Sequence, residues 1–410
     1  MTKTLEQPKK PGEQDMSFGG NGEVLFDKGL QIDAFSVDPV TKKITAAFSL
    51  GSEGFQLFRL NTDGKFDTEF GTAGLTIGKF GTGSGSNRPT GLSVLDDGRI
   101  LVTGMFTDSS VSIEQPAVAA FHANGDADTE FGDAGSLVVV LPNASAPSSG
   151  ESADASASAA QWSDNGYLFS FNGNGFYNDK SVLLRVTPQG ALDTSFNEVG
   201  YRVFQEGVKQ TRINALLVQP SGHIVAAGLI RPDAILARFT SSGVLDNTFA
   251  ENGVRRIALR DYASLSGLTS RADGGLVAVG FSGISYEYGL VVATSENGAV
   301  DASFNAGEPL ELRVGSYKTS FRAVAVNLDN LVVIAGNAQQ QFAAVFRLLP
   351  DGKPDTSFAP QGYISALGFR MTTMILQPDN NILLGGALVS RPVLRRYLGS
   401  DPVTKTASRE

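Results

Sequence analysis

Short apolar runs of strand length, each closed by a turn signal, recur along the whole chain. One stretch displays the pattern in full: Tyr201–Gln205, Ala215–Gln219, His223–Ala227 and Ile235–Phe239. These runs are named a, b, c and d. Between b and c sits a two-residue turn: Asp97-Gly98, Asn165-Gly166, Ser221-Gly222, Asp273-Gly274, Asp329-Asn330 or Asp379-Asn380. Such pairs tolerate the positive φ that a tight hairpin needs. The first copy uses a longer connection, Asp38–Lys43. Hairpins at this spacing make an antiparallel meander, and four such strands make one blade of a propeller.

A second pattern sets the period. Asp-x-x-Phe stands at Asp15–Phe18, Asp67–Phe70, Asp128–Phe131, Asp193–Phe196, Asp246–Phe249, Asp301–Phe304 and Asp355–Phe358, at intervals of 52, 61, 65, 53, 55 and 54 residues. A glycine precedes each of the last six by three positions, and another follows the phenylalanine by four in six copies. Seven four-stranded units, none able to cover both of its faces alone, must stack on one another. The expected fold is all-β: a closed seven-bladed β-propeller of four-stranded antiparallel blades. The last unit ends on strand d at Val393–Leu398 and lacks a following strand a, whereas the N-terminus offers one in Gly22–Phe26. Gly22–Phe26 is therefore expected to complete the blade formed by residues 371–398, because an open stack would leave a bare strand edge. The expected organisation is a tail at 1–14, one propeller domain at 15–398 and a tail at 399–410. Its repeat units are 15–66, 67–127, 128–192, 193–245, 246–300, 301–354 and 355–398.

Leu192-Asp193-Thr194-Ser195-Phe196 and Pro354-Asp355-Thr356-Ser357-Phe358, each followed by x-x-x-Gly, resemble the bacterial delta-60 repeat, as do the hairpins Leu217–Gly228 and Ile375–Gly386. The resemblance covers roughly residues 15–398. It implies a propeller-forming repeat and no particular activity. The third unit departs most, with a serine- and alanine-rich stretch at Ser145–Ser158 that reads as a flexible tether.

Alternation places the b–c turns and d–a connections on one face and the a–b and c–d connections on the other. The second face carries the length variation, and loops on a rigid scaffold are where binding usually sits. Units two and three overhang most, with a–b connections at Gly78–Pro89 and Leu141–Asp154 and c–d connections at Phe106–Pro116 and Asn172–Lys180. Aromatic, amide and carboxylate groups on these loops suit a protein or glycan contact. The candidate binding residues are Phe106, Asp108, Glu114, Asn172, Asn174, Phe176, Tyr177, Asn178 and Asp179, with Tyr286, Glu287 and Tyr288 from unit five. The plainer reading makes them solvated loops.

Composition narrows the chemistry. The chain has 410 residues, 41% of them hydrophobic, with 47 glycines and a net charge of -9 from 33 basic and 42 acidic side chains. With no Lys/Arg-rich run in the repeats, nucleic acid and anionic membranes are not expected partners. No apolar stretch approaches membrane-spanning length, and Met1–Gln14 is polar. Cytoplasmic residence is the default expectation, with export lacking a cleaved signal as the alternative. Cysteine is absent and only His122 and His223 are present, which removes thiolate chemistry and makes a histidine-dependent triad improbable.

The motif aspartates occur seven times, whereas an active site occurs once. They read as turn-fixing groups whose oxygens take nearby backbone N–H bonds, with the phenylalanine packed between blades. Arg59, Arg185, Arg238, Arg347 and Arg396 recur at one position of strand d, where units two and five have Ala120 and Ala293, and are expected to pair within the repeat, with a motif aspartate as one candidate. His223 reads as a turn flank. Clusters such as Asp63–Asp67, Asp96-Asp97 and Asn178-Asp179 supply oxygens that would suit calcium, but none has the EF-hand spacing, so no cofactor or metal is assigned. The leading expectation is a monomeric, non-enzymatic platform binding a protein or glycan on the variable-loop face. The alternative is a hydrolase or lyase with a carboxylate or metal site at the central channel; self-association through the Ser/Ala-rich loop or the tails is a third reading. Converging carboxylates at the channel would favour the enzyme, and a plain funnel the platform.

Overall fold

The computed structural model describes residues 10–81, 83–110, 113–142, 157–163, 166–172, 179–339 and 342–400. After β1 (Glu23–Leu25), the first sheet comprises β2 (Ala34–Val37), β3 (Ile44–Ser49), β4 (Phe55–Leu60) and β5 (Leu75–Gly78). The second comprises β6 (Gly85–Val94), β7 (Ile100–Asp108), β8 (Glu114–Phe121) and β9 (Ser136–Val138). The third has β10 (Ala157–Ser163), β11 (Gly166–Asn172), β12 (Ser181–Val186) and β13 (Tyr201–Phe204). The fourth has β14 (Thr211–Val218), β15 (Ile224–Ile230), β16 (Asp233–Phe239) and β17 (Val254–Ile257). The fifth has β18 (Ala263–Ser270), β19 (Leu276–Ser282), β20 (Tyr288–Thr294) and β21 (Leu310–Leu312). The sixth has β22 (Thr319–Val326), β23 (Val332–Ala338), β24 (Phe342–Leu348) and β25 (Tyr363–Leu367). The seventh joins both ends of the chain: β26 (Phe369–Leu376), β27 (Ile382–Leu388), β28 (Arg391–Tyr397) and then β1.

The chain is a closed seven-bladed propeller. The first strands of successive blades touch one another round the centre, so strand b is innermost and strand a is the outer edge of the preceding blade. Glu23, Val24 and Leu25 pair antiparallel with Arg395, Leu394 and Val393. Each hydrophobic cluster lies between two blades. The one joining the third and fourth blades unites Leu168 and Leu183 with Ile213, Ile224, Ile235 and Phe239. Blade-on-blade stacking covers both faces of the middle strands, which explains why β15 is buried at every position and reads as an unbroken apolar run. The closing seam is built alike: Phe18 and Phe26 from the N-terminus share a cluster with Leu383 and Leu394.

The repeated Asp-x-x-Phe element is the staple between blades. In Asp193–Phe196, the Asp193 Oδ1 accepts the Ser195 amide at 3.0 Å and hydroxyl at 2.7 Å. Its Oδ2 accepts Arg185 Nε at 2.7 Å, and Arg185 Nη1 donates to the Ser241 carbonyl in the next blade at 2.6 Å. The same guanidinium lies 5.1 Å from the centre of the fully buried Phe196 ring. Arg59–Asp67, Arg238–Asp246 and Arg347–Asp355 repeat the Nε–Oδ2 bond at 2.6, 2.7 and 2.6 Å, and Arg396–Asp15 makes it at 2.8 Å across the closing seam. Where Ala293 replaces the strand d arginine, Arg271 from the neighbouring hairpin reaches Asp301 at 2.5 Å. Where Ala120 stands, His122 Nε2 lies 4.0 Å from Asp128. His223 Nε2 lies 3.6 Å from the Asp246 carboxylate.

Burial pushes the carboxyls of Asp15, Asp193, Asp246, Asp301 and Asp355 up. The hydroxyl and amide two residues on and the guanidinium together outweigh it, so all five rest below the ordinary carboxylate value. Asp67 is also lowered against burial, by Lys43 and Arg59.

Candidate functional site at the channel mouth

The inner strands begin on the a–b/c–d face, and five of them share a defect there. The register of β6, β14, β18, β22 and β26 shifts across one residue, between Pro89 and Gly91, Ile213 and Ala215, Leu265 and Gly267, Phe321 and Ala323, and Met371 and Thr373. A bulge leaves its extra residue unpaired and re-aims that side chain. The bulged residues are Thr90, Asn214, Ser266, Arg322 and Thr372, and each lines the central cavity. The positions two residues earlier, Arg88, Arg212, Ser264, Ser320 and Arg370, line it too. In the first blade Asp33 and Gln31 precede β2 at the corresponding places. A glycine on the second strand makes the bulge sterically possible: a Cβ on Gly228 would fall 1.8 Å from the Arg212 carbonyl oxygen.

The result is a cavity of about 610 Å³ opening onto the variable-loop face. Among the described residues four guanidinium groups from four blades line it, Arg88, Arg212, Arg322 and Arg370, against one carboxylate, Asp33. Asp33 is engaged: Oδ1 accepts Gln31 Nε2 at 2.9 Å and Oδ2 accepts the Ser49 amide at 2.8 Å. Burial raises its pKa above the ordinary value, and these bonds and the charge of Arg88 offset only part of that. Arg370 Nη2 donates to Gln31 Oε1 at 3.2 Å, which joins two blades across the mouth. The fifth blade supplies an aromatic wall. Phe281 lies 5.7 Å from Tyr262 and 4.2 Å from Tyr286, ring centre to ring centre, and all three line the cavity.

Among the described loop residues expected from the sequence, Tyr286 alone lines this cavity. Phe106 and Asn172 are buried within the blades rather than offered on loops. Phe106–Asp108 ends β7 and Glu114 opens β8, so the second blade's c–d connection is shorter than the apolar runs suggest. Asn172 bridges blades: its Nδ2 donates to the Ile213 carbonyl at 2.9 Å and its Oδ1 accepts the Ile213 amide at 2.9 Å, which holds the strand just before the Asn214 bulge. Asp108 accepts the Ser110 amide and hydroxyl, and the Asp179 carbonyl takes the Thr211 amide at 3.1 Å. Glu287 is exposed beside Tyr286, and Tyr288 lies under the Arg313 guanidinium at 4.9 Å. Asn174, Phe176, Tyr177 and Asn178 lie outside the described residues, as does most of Ser145–Ser158. The described lining matches neither funnel expected from the sequence: it is not a set of converging carboxylates, nor is it plain and apolar. Among the described residues no group of carboxylates and imidazoles is arranged to hold a metal ion, and no helix is long and apolar enough to cross a membrane.

Ring closure, four-stranded blades and a polar channel mouth define this chain as a β-propeller of seven blades. The family model described as a domain of unknown function (DUF5122) beta-propeller matches residues 44–70, 95–131, 219–249 and 329–358. Each matched segment ends on a motif phenylalanine, Phe70, Phe131, Phe249 or Phe358, in agreement with the repeat read from the sequence. No curated protein matches the chain. Among solved structures, a catalytically inactive virginiamycin B lyase from Staphylococcus aureus with quinupristin superposes with a TM-score of 0.53 at 11% identity, over 92% of this chain and 98% of that one. Raptor from Chaetomium thermophilum gives 0.52 at 12% identity, over 92% of this chain and 29% of its own. Drosophila semaphorin 2a gives 0.52 at 9% identity, over 96% and 76%. These likenesses show the fold alone.

Proposed function

We propose that the protein is a binding platform that holds a protein partner on the face bearing the a–b and c–d connections. The observation that carries this reading is where the most exposed apolar side chains lie. Among the described residues, eight large apolar side chains are more than 70% exposed. Six of them, Leu30, Val140, Val208, Ile284, Leu367 and Val389, lie on that face, and two, Val40 and Leu328, lie on the other. Taken at all exposures the large apolar side chains divide nearly evenly between the faces, with Met16, Phe66, Val199, Val244, Val300 and Leu349 on the other, so the reading rests on the most exposed loop tips alone. Apolar loop tips round a polar centre suit a protein surface better than a glycan, which asks for hydroxyl and amide partners. The lyase or hydrolase alternative calls for paired acid and base groups, and the described lining offers Asp33 alone.

Cross-linking of the full chain in extracts of its own cells tests the reading. Partner cross-links are expected at the exposed Lys209 and Lys318 on the a–b loops, and are expected to disappear in V208D/I284D. Cross-links confined to the b–c hairpins, or indifferent to the double substitution, would overturn it.

A further inference from the structure

Resting on the platform reading of this same face, we propose that the channel mouth is an anion seat. It takes an acidic segment of the protein partner, whose Asp or Glu carboxylates are held by Arg88, Arg212, Arg322 and Arg370. Arginine presents N–H donors in a planar fork that matches a carboxylate, and a charge-assisted bond of this kind is about twice as strong as a neutral one. Four such groups converge from the second, fourth, sixth and seventh blades on one cavity, in a chain whose overall charge is -9. The described lining is thus cationic on a chain that is acidic overall. Such a concave patch draws in a partner of opposite charge and fixes its register.

Among the described lining residues the one carboxylate is Asp33, whose oxygens accept Gln31 Nε2 and the Ser49 amide. The cavity volume of about 610 Å³ lies within the roughly 300–1,000 Å³ typical of ligand sites. It has room for a short stretch of side chains and not for a domain. Tyr262, Phe281 and Tyr286 give the segment an apolar flank on the fifth-blade side, and the exposed loop tips lie on the same face of the ring. A partner that presents an acidic protrusion ringed by apolar surface meets both features together.

The test uses the full chain and a hexaglutamate peptide, with hexaglutamine as the neutral control, in fluorescence polarisation at low and high salt. Arg322 and Arg370 are exposed, so R322E/R370E is expected to stay folded, which its circular dichroism checks. Hexaglutamate is expected to bind at least tenfold more tightly than hexaglutamine, to weaken with salt, and to lose at least tenfold in R322E/R370E. The conservative R322K/R370K is expected to recover part of that loss. Equal binding of hexaglutamine, or full affinity in the double variant, overturns the seat. Hexagalacturonate binding where hexaglutamate fails overturns the peptide assignment in favour of an acidic saccharide. A cross-linked partner that V208D/I284D releases and R322E/R370E retains overturns the seat while leaving the platform standing.

Discussion

Truncating Phe18 tests whether the ring is shut in solution. Phe18 is fully buried, its ring lies 4.6 Å from the Arg396 guanidinium, and it meets residues from both ends of the chain. A buried Phe→Ala change costs about 3–5 kcal/mol, and loss of the cation–π contact adds about 0.5–2 kcal/mol. Partial collapse of the seam recovers some of this, so Phe18→Ala is expected to cost about 4 kcal/mol. If the ring melts as one unit, an unfolding entropy of about 2.1 cal/mol/K per residue turns that cost into a fall of roughly 5 °C in Tm. Phe196→Ala supplies the internal standard: an equally buried ring, with its arginine at 5.1 Å, at a seam between blades consecutive in the chain. Urea unfolding followed by circular dichroism should give the two variants the same loss within about 1 kcal/mol. A loss below about 1 kcal/mol at Phe18, beside a full loss at Phe196, would mean that the N-terminal strand is not seated.

Further expectations follow from the same contacts. Asp15, Asp67, Asp193, Asp246, Asp301 and Asp355 titrate below the ordinary carboxylate value when folded, so the unfolded chain binds more protons in that interval. Their stabilisation is complete above the unfolded carboxylate value near about pH 4 and is lost as pH falls through the folded values. The urea midpoint should therefore drop in acid, with a shallower drop in Asp193→Asn; a midpoint flat down to about pH 3 would refute the linkage. Gly228→Ala drives a Cβ into the Arg212 carbonyl and should cost about 1–3 kcal/mol while weakening hexaglutamate binding. A variant of native stability would show that the bulge does not need the glycine. Val208→Asp and Ile284→Asp, at exposed loop tips, should each stay within about 0.5 kcal/mol of the parent by urea melts. A larger loss would show that these side chains serve the fold rather than a partner.

The ring was legible because its parts are local and repeated. Asp-x-x-Phe counts the blades, Gly22–Phe26 supplies the strand that Val393–Leu398 lacks, and the arginines of strand d sit in step with the aspartates they bind. The channel mouth was not legible, for two physical reasons. Apolar runs start strand b at Ala215, whereas β14 begins at Thr211; Arg212 and Asn214 face the cavity and are polar, and with Thr211 they leave Ile213 as a single apolar residue, so the segment reads as loop. Arg88, Arg212, Arg322 and Arg370 are also far apart in the chain, and a search for basic runs sees only neighbours in sequence. A signal was present: aligning the copies on the strand c glycine, as in Ala227-Gly228 and Gly385-Gly386, places Arg212 and Arg370 at one repeat position. The loop candidates erred the other way. Phe106 and Asn172 look like loop chemistry, yet they extend the strands and bury their side chains against the neighbouring blades.

Two sets of arginines differ in setting, one bonded to motif aspartates between blades and one at the mouth, and a single measurement separates them. With 15N-labelled arginine, the Nε–Hε resonances of Arg212, Arg322 and Arg370, assigned by single substitution, should shift on titration with hexaglutamate. Those of Arg59, Arg185, Arg238, Arg347 and Arg396, each bonded through Nε to a motif aspartate, should stay in place. Shifts confined to the second set, or none in the first at saturating peptide, would contradict a binding seat at the channel mouth.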